Sequence, residues 1–182
     1  ITENPDIVLY RAMTRLGDWE RPLPEDAWQV FQQNFRNSLT MFGWDNGDTW
    51  PISITHRPAL DVVTSVFFHL GVVLLTLRYI RQRHWLDIFT LISIPVLMMP
   101  SILSLSFPGE NPSLNRSAAA IVPVFLVVGL AADSLITSLE SAWNKRAAWA
   151  VGILLLAWAS LQNYDLVFNQ YRKQYDANAW NT

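Results

Sequence analysis

The sequence predicts an all-α integral membrane protein in which four transmembrane helices follow an extracytoplasmic region with two short amphipathic helices. Three observations support this fold class. Long apolar runs begin near residue 60, acidic residues are concentrated before that point, and basic residues recur in alternate connectors between the runs. We therefore divide the chain into an extracytoplasmic or interfacial region (1–59), a four-helix transmembrane domain (60–168) and an extracytoplasmic tail (169–182).

Composition becomes informative once it is read along the chain. The hydrophobic fraction of 51% lies between the values of globular and membrane proteins. Nine of the 15 acidic residues, however, lie in the first 61 positions: Glu3, Asp6, Asp18, Glu20, Glu25, Asp26, Asp45, Asp48 and Asp61. A net charge of -2 without a clustered basic face argues against a nucleic-acid partner. The absence of cysteine excludes disulfides and thiolate metal sites.

The length of the apolar runs predicts four membrane spans. A helix rises about 1.5 Å per residue, so a hydrocarbon core of about 30 Å requires roughly 20 apolar residues. The runs that approach this length are about 60–77, 88–107, 118–139 and 147–166. Pro95 and Pro100 lie inside the second run, and we expect a kink or break in its outer half because proline removes a helical hydrogen bond.

Basic residues in the short connectors predict the orientation. The connectors after the first and third spans hold five of them: Arg78, Arg81, Arg83, Lys145 and Arg146. The connector after the second span holds only Arg116. Because lysine and arginine are retained on the cytoplasmic side, we expect both termini to be extracytoplasmic and the protein to lie in the cytoplasmic (inner) membrane.

The region before the spans contains helix punctuation and apolar periodicity. Asn4, Pro5 and Gly17 predict a first short helix, with a cap, a first-turn proline and a terminating glycine. A second helix, 25–42, carries an apolar stripe at three- and four-residue spacing: Trp28, Phe31, Phe35, Leu39 and Phe42. Two interpretations of this stripe stay open, contact with the outer lipid interface and packing on the protein's own outer surface.

Ionisable residues at the outer membrane level are the candidate site. His56 and Arg57 precede the first span and Arg116 precedes the third, so all three are expected at one level. Such a group is suited to a lipid phosphate, which arginine binds through charge-assisted, bidentate hydrogen bonds. The competing interpretation is interfacial anchoring, with pairing to Asp61 or Glu110.

Other candidates are weaker. His69 lies within the first span, where it is either a ligand for haem or a chlorophyll-type pigment, or a neutral histidine hydrogen-bonded to a neighbouring helix. Asp45 and Asp48 belong to a DNGD segment that lacks the spacing of a calcium loop and is typical of a turn. The sequence shows no paired-histidine metal motif and no Ser-His-Asp arrangement, and we identify no catalytic or metal-binding residue.

Two stretches of sequence suggest a family. The run NSLTMFGWDNGDTWPISITHRPALDVVTSVFFHLG is followed by an arginine-rich connector, a proline-containing span and then NRSAAAIVPVFLVVGLA. This order resembles the C-terminal portion of bacterial family 39 glycosyltransferases, which belong to the GT-C class with the protein O-mannosyltransferases. The matching features are the segment Arg57-Pro58-Ala59-Leu60-Asp61 before a span, and Arg116 a few residues before the proline of the next helix, Pro123.

The resemblance implies transfer of a sugar from a polyprenyl-phosphate donor at the outer membrane face, by inversion and in many members with a divalent metal. It gives Arg116, Arg57 and His56 as the residues nearest the donor phosphate. The family's catalytic carboxylates lie in a first extracytoplasmic loop with no counterpart here, so we expect a C-terminal fragment or shortened relative that starts at Ile1 without that loop. The alternative is a non-catalytic structural subunit of a larger photosynthetic or respiratory membrane complex, whose partners are membrane lipid and other membrane subunits.

Overall fold

A computed structural model describes Tyr10, Thr14 and residues 21–179, and this part of the chain is helical without a strand. We number its α-helices in chain order: α1 Ala27–Thr40, α2 Val62–Gln82, α3 Trp85–Leu97, α4 Met99–Ile102, α5 Ile121–Ala142, α6 Lys145–Asp165 and α7 Tyr171–Ala179. Short 3-10 turns occupy Pro108–Glu110 and Ala118–Ala120, and a π-helical segment, Leu166–Gln170, joins α6 to α7.

Four helical stretches are long and apolar enough to cross a membrane, as the sequence predicted: Val62–Gln82, Trp85–Ile102, Ala118–Ala142 and Lys145–Ala179. These stretches indicate an integral membrane protein. The 21 residues of α2 give a length of about 30 Å, which matches the hydrocarbon core.

The interior of the bundle is formed where α2 meets α5. Phe68, Gly71 and Leu75 form the buried stripe of α2 at three- and four-residue spacing. The facing stripe of α5 includes Val124 and Val127, both fully buried. Outside this contact, α2 carries a row of exposed apolar side chains: Val62, Val66, Leu70, Val73, Leu77 and Ile80. Such a row would be unfavourable in water, and it is the surface expected to contact lipid tails.

The second span is broken, as its prolines predicted. Regular helix α3 ends at Leu97, Met98 forms a turn, and α4 continues only to Ile102. The helix of this span ends at Ile102, before the predicted boundary at about residue 107, because residues 103–107 form turns and irregular chain. The helix is interrupted because Pro95 and Pro100 have no backbone N–H to donate.

The backbone acceptors at the end of this span are covered by α1. The side-chain amide of Asn34 donates to the carbonyl oxygens of Ile102 at 3.0 Å and Ser104 at 3.5 Å. Ser38, one turn further along α1, accepts a hydrogen bond of 3.0 Å from the Asn111 amide. All these side chains are buried. Helix α1 thus supplies a donor to the Ile102 carbonyl and a second donor to the Ser104 carbonyl, which also accepts from the Phe107 N–H at 3.3 Å.

This contact changes the interpretation of the predicted apolar stripe. Phe31 and Phe42 pack on the core, but Trp28, Phe35 and Leu39 are exposed. The buried face of α1 is thus partly polar, because the broken span below it requires hydrogen-bond donors. The predicted helix at 4–16 lies outside the described residues except for Tyr10 and Thr14, both of which are helical.

The ends of the fourth span also differ from the predicted ones. Helix α6 begins at Lys145, where the Asn144 side chain accepts a hydrogen bond of 2.8 Å from the Ala147 N–H. The helical stretch continues through the π-helical segment to Ala179, so most of the predicted tail is helical. Tail residues 180–182 lie outside the described part of the chain.

Candidate functional site

The candidate site is built on the loop between α1 and α2. The side chain of Asn46 organises this loop by donating to Ser53 Oγ at 3.1 Å and to the Ile54 carbonyl at 2.9 Å. Its backbone N–H donates to the Arg57 carbonyl at 2.8 Å. Gly47 has a φ of 86°, a value that glycine adopts without steric cost, and its N–H donates to Asp45 Oδ1 at 2.8 Å. These bonds hold Arg57 immediately before the first span.

Arg57 lines a cavity of about 350 Å³ between this loop and the end of the fourth span. Loop residues contribute one wall, and the last span contributes Leu166, Val167 and Tyr171. Arg57 is half-buried, and within residues 21–179 its guanidinium makes no ion pair and no side-chain hydrogen bond. Burial lowers the pKa of Arg57, and the nearby Asp61 carboxylate offsets part of this change. The cavity therefore presents a desolvated cation with donors to spare.

Asp61 stands beside this cation, at the start of α2. It caps the helix by accepting hydrogen bonds from the Thr64 N–H at 3.0 Å and the Thr64 hydroxyl at 2.6 Å. Asn163 of α6 donates a third bond of 3.0 Å. Burial alone would raise the pKa of Asp61, but the hydrogen bonds from Thr64 and Asn163 outweigh burial and lower it. Asp61 is therefore an ionised cap that also fastens the fourth span to the first.

The last helix closes the cavity from outside. Gln174 donates to the carbonyls of Trp50 at 3.1 Å and Ser53 at 2.8 Å. The Tyr171 hydroxyl donates to the Pro51 carbonyl at 2.7 Å. Sequence reasoning missed both residues because they were assigned to a tail. The available signal was their spacing. Gln174 and Tyr175 follow Tyr171 by three and four residues, which places all three on one face of a helix.

A second cavity lies deeper along the same helices. It has a volume of about 270 Å³ and an almost wholly apolar lining from α2, α5 and α6. Val63 and Ala159 belong to its wall, whereas Ala59 and Leu166 belong to the outer cavity. Ala59 and Val63 are four residues apart and Ala159 and Leu166 are seven apart, so the two cavities are separated by about one to two helical turns. The hydrogen bond between Asp61 and Asn163 lies between these levels.

The other predicted phosphate ligands have protein partners of their own. Arg116 forms an ion pair with Glu110 and donates to Ser104 Oγ at 2.7 Å. His56 is exposed and lies 3.4 Å from Asp45 Oδ2 and 3.5 Å from Asp48 Oδ1. The structure thus gives His56, Arg57 and Arg116 three different environments. Asp45 and Asp48 form part of the turn that the sequence predicted.

His69, predicted to lie within the first span, contacts the loop between α1 and α2. Its ring lies beneath Gly43, where an added Cβ would be 2.6 Å from Cε1 and 2.9 Å from Nε2. Its Nδ1 is hydrogen-bonded to the Ser65 carbonyl at 2.7 Å, and Trp44 packs edge-on at 5.8 Å. The ring is thus hydrogen-bonded to its own helix and packed against the loop between α1 and α2, an environment typical of a structural histidine. Within the described residues no group of three or more metal-ligating side chains occurs.

A search of protein-family models, curated proteins and solved structures finds no significant match to this chain. The site itself offers one desolvated cation above an apolar cavity.

Proposed function

We propose that this chain is the lipid-carrier-binding portion of a membrane glycosyltransferase that uses a polyprenyl-phosphate sugar donor. The observation that carries the proposal is the environment of Arg57, a half-buried guanidinium that faces a cavity of about 350 Å³ and has no ion-pair partner among the described residues. A desolvated cation of this kind gains more from an anion than a cation in water does.

The shape of the two cavities fits an amphiphile. In the proposal a phosphate lies at Arg57, and the apolar chain continues into the cavity between α2, α5 and α6. The Asp61 carboxylate marks the depth at which the ligand must change from charged to apolar. Asp61 also discourages a second negative charge at this level, which favours a monophosphate over a diphosphate.

Arg57 has a defined role in this proposal. When a sugar leaves a lipid phosphate, negative charge accumulates on the phosphate, and a fixed guanidinium stabilises that charge. Arg57 therefore replaces Arg116 as the primary phosphate ligand, because Arg116 is already paired with Glu110. No residue described here is assigned as the base that activates the acceptor.

Binding of polyprenyl phosphate to the chain in zwitterionic nanodiscs tests the proposal. Arg57→Gln should weaken binding roughly 10- to 100-fold, since a charge-assisted hydrogen bond contributes about 1.5–3 kcal/mol. Arg36→Gln is the matched control, because Arg36 is exposed on the neighbouring helix α1. A non-phosphorylated polyprenol should bind both proteins equally. Unchanged phosphate affinity in Arg57→Gln would refute the role.

One observation favours a second candidate function, that of a structural subunit in a larger membrane complex. Gln162 of α6 has a buried side-chain oxygen with no hydrogen-bond partner among the described residues. It lies at a groove formed with Leu154, Ala157, Trp158 and Leu161. Rotation of the Gln162 side chain into this groove would bring the oxygen to a donor on a neighbouring transmembrane helix.

Native mass spectrometry of the protein extracted from its own membrane in mild detergent separates the two functions. A subunit should be released with a stoichiometric partner, and Gln162→Leu should reduce the amount of that complex. The glycosyltransferase proposal instead expects co-purified lipid phosphate that is lost in Arg57→Gln. A complex unaffected by Gln162→Leu would argue against this helix face as the subunit contact.

A further inference from the structure

A second amphipathic site lies at the opposite end of the bundle from Arg57. It is a cavity of about 510 Å³ between α2 and α5, near the turn that follows α2. Its deeper wall is apolar and includes Leu70, Val73, Leu74 and Leu77 of α2. Its rim is polar: Arg78, Arg81, Gln82, Ser134 and Ser138.

The two arginines of this rim differ in availability. Arg78 is committed to the buried Asp87 carboxylate, to which its Nε donates at 2.7 Å and its Nη2 makes a second, ion-paired contact. Arg81 is exposed, and among the described residues it makes no ion pair. Arg83, the next arginine along the chain, lies over the Tyr79 ring, 5.7 Å from its centre, and does not line the cavity. Arg81 is therefore the rim cation available to an anion.

The depth of the cavity matches one leaflet of a bilayer. Leu70 and Arg81 are eleven residues apart on α2, a rise of about 16 Å, which is roughly half of a 30 Å hydrocarbon core. The apolar wall thus covers the depth of lipid tails, and Arg81 lies where a phosphate group begins. Gln82 adds a side-chain amide at the same level.

We infer that this cavity binds one anionic phospholipid of the bilayer, with its phosphate at Arg81 and one acyl chain between α2 and α5. The charge of the rim selects the occupant, since Arg78 neutralises Asp87 and the positive charge of Arg81 is left for an anion. Basic pockets between transmembrane helices recognise anionic head groups by this combination of charge and apolar depth. The site is independent of the proposed function, because it lies at the other end of the bundle.

Native mass spectrometry of the chain carrying Arg57→Gln, with phosphatidylglycerol or phosphatidylcholine added, tests the inference without interference from the outer cavity. We expect one tightly retained phosphatidylglycerol and at least tenfold weaker retention of phosphatidylcholine. Arg81→Gln should reduce phosphatidylglycerol retention about tenfold, whereas Arg83→Gln, which removes the same charge two residues away, should leave it unchanged.

A second variant fills the space at the rim of the site. Ser138→Leu adds bulk at an exposed position of the rim without removing a charge, and it should also reduce retention. Equal losses in Arg81→Gln and Arg83→Gln would show general surface charge and overturn the inference. Equal retention of the two lipids would overturn it as well. Loss of polyprenyl phosphate binding in Arg57→Gln, with phosphatidylglycerol retained, would leave both proposals standing separately.

Discussion

Gly71 of α2 lies directly against the backbone of Val127 in α5. A Cβ at position 71 would be 2.5 Å from the Val127 carbonyl oxygen and 2.6 Å from its Cγ1. Real Cβ atoms do not approach backbone oxygens so closely, so the two helices pack at this distance only because residue 71 has no side chain. This contact lies at the centre of the buried core.

Gly71→Ala should therefore destabilise the bundle by about 1–3 kcal/mol, the cost of overpacking a rigid contact. Gly129→Ala in α5 is the matched control, because no atom lies within 4 Å of an added Cβ there. Reversible unfolding in mixed detergent micelles provides the measurement. Equal stability of the two variants would contradict the close approach.

Arg78→Gln should destabilise the protein by about 3–5 kcal/mol, because it leaves the buried Asp87 carboxylate without its partner. Arg81→Gln removes an equal charge one turn further along α2 and should change stability by less than about 0.5 kcal/mol. The same unfolding assay compares them. A double variant, Arg78→Gln with Asp87→Asn, should recover much of the loss, since no buried charge then remains unpaired.

Stability should fall in acid through Asp61. Its folded-state pKa lies below the ordinary value of 3.8, so the ionised carboxylate adds stability at pH values above that value. This contribution is lost as the pH falls below 3.8 and through the folded pKa, because the proton must then bind a hydrogen-bonded carboxylate. Asp61→Asn should be less stable than the unmodified protein at pH 7, and the difference should shrink toward pH 3. A constant difference across this range would show that the Asp61 charge is not involved.

Asn34→Ala should cost about 1–3 kcal/mol, because the buried carbonyl oxygen of Ile102 loses its side-chain donor. Gln33→Ala, at the adjacent exposed position, should be nearly neutral. Hydrogen exchange of the 101–106 backbone offers a second measurement. Its rate should rise in Asn34→Ala and stay unchanged in Gln33→Ala.

The spans were predictable because length and continuous hydrophobicity are properties of a single segment. The break at Met98 was predictable for the same reason, since Pro95 and Pro100 act on their own helix. The polar inner face of α1 was not predictable, because the need for Asn34 arises only where the broken span leaves carbonyl oxygens uncovered. Periodicity alone predicted that the aromatic residues of that helix, and not Asn34, would form its buried face.

The candidate site was predictable only in part. Arg57 was identified from its position before a span, and Glu110, the partner of Arg116, was named as a possible partner of the predicted cations. The contact of His56 with Asp45 was missed because it depends on how the loop folds back. The hydrogen bonds of Gln174 could not be predicted, because they join it to residues about 120 positions earlier in the chain. The Asp61–Asn163 bond spans 102 positions and was missed for the same reason.

The π-helical segment Leu166–Gln170 sets the direction in which the final helix faces. A wider turn adds one residue to the spiral, and each residue turns an α-helix by about 100°. Tightening this segment to ordinary pitch with every residue kept would swing Tyr171 and Gln174 by about that angle, roughly a quarter turn, around the axis. The loop that holds Arg57 would then be left without its lid, although every side chain of the site would still be present.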